Sequence, residues 1–306
     1  DAEKWLKLAY GLKARYTMHL LKRSANKDAD MEKVLEYVNN SFESAEEQAA
    51  FDVYDANNIN PLYGFFVARA GLGASESMRS KLAEYNDPRL SRAFITKQGT
   101  SGKEQAPGTA DNAVYAPNGT PEQGTSKYGT SLFMYSISAP TLLLSYHELK
   151  FLEAEALCRL ERDAKSALKD AVVAGLLNAE NSFTISRKEL GKTLINAASS
   201  ITEAEAESYF DNTIEAKYTA EPLKTTMIQK YFALWGASGE ATESYNDVRR
   251  MKGLGENFIE LKNPNSFPLR CPYGNSDTTT NAEVKAAYGN GQYVYSENVW
   301  WAGGSR

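Results

Sequence analysis

From residue 141 onward the chain repeats one design, helical stretches joined by very short links, and that repetition limits the folds open to it. Residues 141–160 and 163–178 each place apolar side chains at helical spacing, and only Glu161, Arg162 and Asp163 connect them. A link that short makes the two helices neighbours in a hairpin. Ala154, Ala156, Ala164, Ala167, Ala171 and Gly175 are small enough to let the pair approach closely. A second set follows at 202–220, 222–236 and 239–251. Pro222 falls in the first turn of its helix, where no intrahelical donor is needed. Gly236 falls just past the end, where a left-handed residue closes the last turn.

The earlier chain adds helices and one unusual segment. In "DAEKWLKLAYGLKARYTMHLLKRS" Trp5, Leu8, Leu12, Tyr16 and Leu20 recur at steps of three to four, which predicts a helix. "DADMEKVLEYVNNS" predicts a shorter one, bounded by Asp28 and Asp30 and by the Asn39–Asn40 pair. Residues 51–80 read as irregular up to a short helix around Ser77–Tyr85, and Pro88 marks a turn in "NDPRL". Residues 97–131 hold six Gly and three Pro in 35 residues, a density that predicts a long surface loop. The tail, 263–306, is rich in Asn, Pro, Gly and Tyr. It is expected to wrap over the helices as irregular structure, with a short strand at "QYVYS" (292–296). The fold expected is mainly α, with stacked helix hairpins of the tetratricopeptide-like α-α superhelix kind, long irregular loops and little β. No strict period of about 34 residues is present.

Function classes fall away on composition. The chain has 34 basic and 39 acidic residues, net −5, with no basic block, which argues against nucleic acid. Two cysteines, Cys158 and Cys271, make neither a disulfide framework nor a zinc site. No apolar run approaches the length of a membrane span. The two histidines are His19 and His147. A zincin needs a second histidine four residues on, and Phe151 stands there, so His147 reads as a helix-surface or half-buried residue. Glu153 and Glu155 lie two apart and face different ways on a helix. "LGKT" (190–193) lacks the first glycine of a phosphate loop, Ser186 standing there, and "GLGASES" (71–77) lacks a βαβ context and reads as a turn. In "YNDVRR" (245–250) Asp247 and Arg250 form an ion-pair and capping network more simply than a catalytic pair. No cofactor, metal or catalytic residue is expected. Tyrosine, at 18 residues, suits both cores and binding surfaces.

Four stretches together resemble the SusD/RagB family of surface nutrient-binding lipoproteins of the Bacteroidetes outer membrane. "TTMIQKYFALWGASGEATESYNDVRR" (225–250) is similar to its most characteristic helix hairpin. Ile228, Gln229, Lys230, Tyr231, Ala233 and Leu234 match the first part, and Tyr245, Asn246, Asp247, Arg249 and Arg250 the second. "YHELKFLEAEAL" (146–157) resembles the central helix, "EKWLKLAYGLKARYTMHL" (3–20) the W-x-x-x-A-x-x-L-x-x-R helix, and "FPLRCPYGNSDTTTN" (267–281) the closing segment. Gly274 and Asp277 depart from the usual Pro and Glu there. Family members carry further chain before the first of these helices, with signal peptide, lipidated cysteine, first helical repeat and part of the ligand site. The resemblance therefore implies the C-terminal part of a longer protein.

The resemblance also implies a function. It is a non-catalytic surface protein that captures a glycan oligomer, or an oligopeptide in some branches. The ligand passes to a SusC-like TonB-dependent transporter. The location implied is the extracellular face of the outer membrane, with a lipid anchor outside this chain. Residues 1–306 are expected to form one helical domain with a loop insertion at 97–139. Because sugars stack on aromatic rings and hydrogen-bond to amides, Tyr115 and Tyr128, with Asn118 beside them, are the candidate ligand-binding residues. Trp300 and Trp301 are assigned to packing. Two other readings are open: an α/α-barrel glycan-processing enzyme with two carboxylates across a cleft, and a helical-repeat adaptor binding protein.

Overall fold

The computed structural model describes residues 2–69, 73–95, 114–119, 128–190, 199–236, 239–263 and 266–304. They belong to two compact units, residues 1–261 and 262–306.

The larger unit is a stack of helix hairpins. Helices α1 (Ala2–His19) and α2 (Lys27–Asn39) pack together, the second capped by Asn26, whose side chain accepts from Ala29 N at 3.0 Å. Short elements follow: strand β1 (Ala49–Phe51), helices α3 (Pro61–Arg69), α4 (Glu76–Glu84) and α5 (Arg89–Arg92), and strands β2 (Phe94–Ile95), β3 (Thr130–Ser131) and β4 (Thr141–Leu144). Helices α6 (Tyr146–Arg159) and α7 (Lys165–Leu190) form the central hairpin. After them α8 (Glu203–Tyr209) runs through a π turn (Phe210–Ile214) into α9 (Glu215–Ala220), then α10 (Pro222–Ala233) and α11 (Ala241–Leu254). Among the described residues the strands pair antiparallel as β1–β4 and β2–β3, with one isolated parallel bridge between Ser75 and Ala116. The fold is mainly α and tetratricopeptide-like, as the sequence pattern predicts.

Helix α6 is the shared wall of two apolar cores. Its Leu149, Leu152 and Ala156 join Ala14, Met18 and Val34 of the first hairpin. Its Phe151 and Ala154 join Leu168, Leu176, Phe183 and Phe232 of the later helices. Each buried Leu, Met, Val or Phe among them contributes about 1.5–3 kcal/mol on leaving water, so the double role of α6 fixes both halves to one element. The small residues act as their size predicts. A Cβ added at Gly175 would lie 2.9 Å from Ala233 Cβ, so α7 and α10 meet there with no side chain between them.

Several boundaries differ from expectation. Residues 141–160 are not one helix. Thr141–Leu144 is β4, paired with β1, and α6 begins only after Ser145, whose hydroxyl accepts from Glu148 N. An apolar "TLLL" run has no period of its own, and its partner strand decides its form. Helix α7 runs to Leu190, well past residue 178, because its inward positions stay apolar or small through Phe183 and Ser186. Helix α3 stands in a segment read as irregular, where its Gly, Tyr and Phe content hides the period. The described parts of 97–131 hold β3 at their end, while residues 97–113 and 120–127 lie outside the described residues. So do Gly71 and Leu72 of "GLGASES", Gly191–Thr193 of "LGKT", and residues 237 and 238 after Gly236.

In the smaller unit, helices α12 (Asn275–Thr280) and α13 (Ala282–Tyr288) replace the irregular structure expected there. Asn281 caps α13 through Val284 N at 3.3 Å, and Tyr273 stacks on Tyr288 at 4.5 Å. "QYVYS" is a turn rather than a strand. Leu269 N donates to Val294 O at 2.8 Å, and Tyr273 N to Gly291 O at 3.1 Å just before it.

Candidate functional site

The three candidate residues lie on one knot of backbone at the start of α4. Ala74 N donates to Gly129 O and Gly129 N to Val114 O, each at 2.8 Å, while Ala116 N donates to Ala74 O at 2.8 Å and Glu76 N to Ala116 O at 3.0 Å. These bonds hold segments 73–76, 114–118 and 128–131 together although masses of sequence separate them. Asn118 is fixed by the helix it abuts, its Oδ1 accepting from Ser75 Oγ at 3.0 Å and Ser77 N at 3.3 Å. Tyr115 is half-buried, its ring edge-on to Phe94 at 5.2 Å and under the Arg79 guanidinium at 5.6 Å. Tyr128 is 3% exposed and packs behind Gly73.

A second constellation is buried at the hairpin junction. Arg15 of α1 forms a two-pronged ion pair with Glu148 of α6, Nε donating to Oε1 at 2.8 Å. Glu240, just before α11, approaches the same guanidinium at 3.5 Å and accepts from Ser145 N at 2.6 Å. His147 is 1% exposed, with Nε2 3.8 Å from Glu240 Oε2. Burial, and then the charge of Arg89, pull His147 down to about 3, so the ring is neutral. Burial and the adjacent Glu148 push Glu240 well above the usual carboxylate range. Further along α6, Glu155 is fully enclosed and pairs with Arg250 at 2.5 Å, while Asp247 joins Arg250 and Lys230, each at 2.7 Å.

Glu148 and Glu155 take the structural role, as fully buried members of ion pairs, and His147 is fully enclosed rather than half-buried or on the helix surface. Glu153 alone of the three glutamates reaches solvent, paired with Lys150. The reason is that α6 is covered on both sides, so even its polar positions meet protein. Asp247 and Arg250 form the network their spacing suggests. Glu148 and Glu240 share one cation in an enclosed space, which keeps substrate away from this carboxyl pair. Among the described residues no group of three His, Cys, Asp or Glu could hold a metal ion, and no helix is long and apolar enough to cross a membrane.

A cavity of about 540 Å³ opens along one face of α7, between the turn at residues 43–48 and α8. Sequence reading missed it. Its floor residues Val173 and Leu177 recur at helical spacing beside Asn178 and Asn181, but only the two walls, distant in sequence, make them a groove.

A family model described as SusD-like, starch-binding and associating with the outer membrane, matches residues 1–273. The chain belongs to the SusD-like family. Among solved structures, a SusD/RagB family protein from Bacteroides thetaiotaomicron VPI-5482 is 66% identical with a TM-score of 0.91, over 100% of this chain and 66% of that one. A SusD homolog from Bacteroides fragilis NCTC 9343 is 19% identical with a TM-score of 0.65, over 94% of this chain and 65% of its own. A chitin-binding protein is also 19% identical, with a TM-score of 0.63 over 98% and 65%. The last two likenesses show the fold alone. No curated protein matches the chain. The chain thus spans slightly less than two thirds of the length of each of these three structures.

Within this SusD-like chain the stretches that carry the resemblance are the ones that hold the scaffold together. Arg15 of the first meets Glu148 of the second, and Glu155 of the second meets Arg250 of the hairpin motif, whose Lys230 and Asp247 pair with each other. Separated by 133 and 95 positions, these residues mark helix–helix junctions.

Proposed function

We propose that this SusD-like chain is the binding part of a cell-surface protein that captures a starch-type glycan oligomer without transforming it. The observation that carries this reading is the match of residues 1–273 to a family described as starch-binding and associating with the outer membrane. The 66% identical SusD/RagB protein supports it. The captured oligomer passes to a SusC-like TonB-dependent transporter, on the extracellular face of the outer membrane, where a lipid anchor outside these residues holds the protein. Such a role needs binding and release and no bond chemistry, in keeping with a carboxyl pair that is sealed from solvent.

In this reading the ligand meets the knot at the start of α4. Tyr115 supplies the ring for stacking, with Arg79 above it. Asn118 is held in register by Ser75 and Ser77, and Tyr128 seats the segment from behind. Calorimetric titration of the full-length protein with glucose oligomers and with oligopeptides tests it. Saturable heat with a glucose oligomer is expected, and Tyr115→Ala should weaken it roughly tenfold or more, as for loss of a stacked ring. Heat that continues after saturation would mean turnover and sink the reading, as would binding of peptides alone.

A further inference from the structure

Helix α1 is apolar on two faces. One face, with Gly11, Ala14, Arg15 and Met18, is buried and packs against α2 and α6. The other carries Trp5, Ala9, Leu12 and Tyr16. Spacings of four, three and four keep these residues in one line over about three turns, roughly 16 Å. Leu20 continues the line just past the helix end. Trp5 is 69% exposed, Tyr16 55% and Leu20 63%. A surface helix turns one apolar stripe to the core and charged residues outward, so a second stripe of aromatic rings and leucines marks a helix built to be packed on both sides. Helix α6 has that pattern in the same molecule, and both of its faces are covered.

Two observations point to one occupant. In a stack of helix hairpins each hairpin is covered by its neighbours, and the hairpin at an end carries a polar outer face. The α1–α2 hairpin has no such face along Trp5, Tyr16 and Leu20, so it is built as an inner member of the stack. The solved protein that is 66% identical matches all of this chain with only 66% of its own, so about one third of its length has no counterpart here. That length is ample for another helix hairpin, which takes roughly 34 residues in such stacks. We infer that the stripe from Trp5 to Leu20 seats one further helix hairpin of the same polypeptide, made by chain outside residues 1–306. The hairpin lays an amphipathic helix of three turns or more along the stripe, its apolar side chains on Trp5, Leu12 and Tyr16 and its polar face outward. Helix α1 then has the double role that α6 has, a shared wall between two apolar layers.

The full-length protein, with the photo-reactive p-benzoylphenylalanine in place of Tyr16, is irradiated as a purified monomer, and the joined peptides are read by mass spectrometry. The expected product is a cross-link within one polypeptide, to a peptide outside residues 1–306. A cross-link to residues 262–306, to a second copy or to another protein overturns the inference, and so does the lack of any cross-link. The unaltered full-length protein supplies a second reading that needs no substitution. Hydroxyl-radical footprinting should oxidise Trp5 and Tyr16 severalfold more slowly than in the same protein unfolded in urea, because a packed helix shields them. Oxidation near the unfolded rate would mean that the stripe faces water, and would overturn the inference as well. Neither reading involves a ligand, so the outcome is independent of the glycan assignment.

Discussion

Replacing Glu240 by Gln should stabilise the protein at neutral pH although it removes a buried carboxyl beside a buried arginine. Around Arg15 there are one cation, two carboxyls and a neutral imidazole, all almost without solvent. Glu148 holds the guanidinium by two bonds, whereas Glu240 approaches it only at 3.5 Å. Glu148 therefore keeps the charge and Glu240 keeps a proton. Its folded pKa stands well above the ordinary 4.5, so the folded state holds a proton that the unfolded chain releases. The stability Glu240 contributes is complete below pH 4.5 and falls as pH rises, by about 1.4 kcal/mol per pH unit until its folded pKa is reached. His147 acts in the opposite sense. With a folded pKa of about 3 against 6.5, it lowers stability as pH drops from 6.5 toward 3. Between pH 4.5 and 6.5 the two slopes oppose each other, and the variant isolates one of them.

A glutamine keeps the acceptor for Ser145 N and titrates nowhere. Urea unfolding from pH 4.5 to 8 should show Glu240→Gln within about 1 kcal/mol of the parent at the acid end, the loss of a weak hydrogen bond. Its advantage should then grow with pH, by at most about 1.4 kcal/mol per pH unit, until the folded pKa of Glu240 is passed. Glu148→Gln should instead cost about 3 kcal/mol at pH 7, the low end for breaking a buried pair, because Glu240 can ionise and take over Arg15. A Glu240→Gln penalty of more than about 2 kcal/mol at pH 7, or a difference that does not change with pH, would mean that Glu240 is ionised and refute the assignment.

Two further outcomes test the packing. Gly175→Val should lower stability by about 3 kcal/mol in urea unfolding, since its Cβ alone would already stand 2.9 Å from Ala233 Cβ at the α7–α10 crossing, and a neutral effect would mean the helices are further apart. Cys271 should react with iodoacetamide well before Cys158. The first is exposed, while burial raises the Cys158 thiol pKa and Thr226 stands 3.6 Å from its sulfur. Equal rates followed by peptide mapping would contradict that burial.

The sequence by itself determined the class of fold and most of its helices. Period, small residues and end signals are local, and they act through backbone sterics and solvent exposure that a short window already contains. Residues 222–236 read correctly for this reason, with Pro222 at the start and Gly236, φ +75°, at the end. The four family-like stretches were also legible, because their residues recur in a fixed order. Tertiary structure alone decided the rest. Thr141–Leu144 became a strand because residues 49–51 lie beside it, and Glu148 and Glu155 became buried because Arg15 and Arg250 come to them from far along the chain. The α7 groove exists only where residues 43–48 and 203–207 face each other across one helix. The raised pKa of Glu240 follows from its burial and from a second carboxyl, Glu148, sharing one guanidinium with it. Such energies belong to distances between residues remote in sequence, and only the folded chain sets those distances.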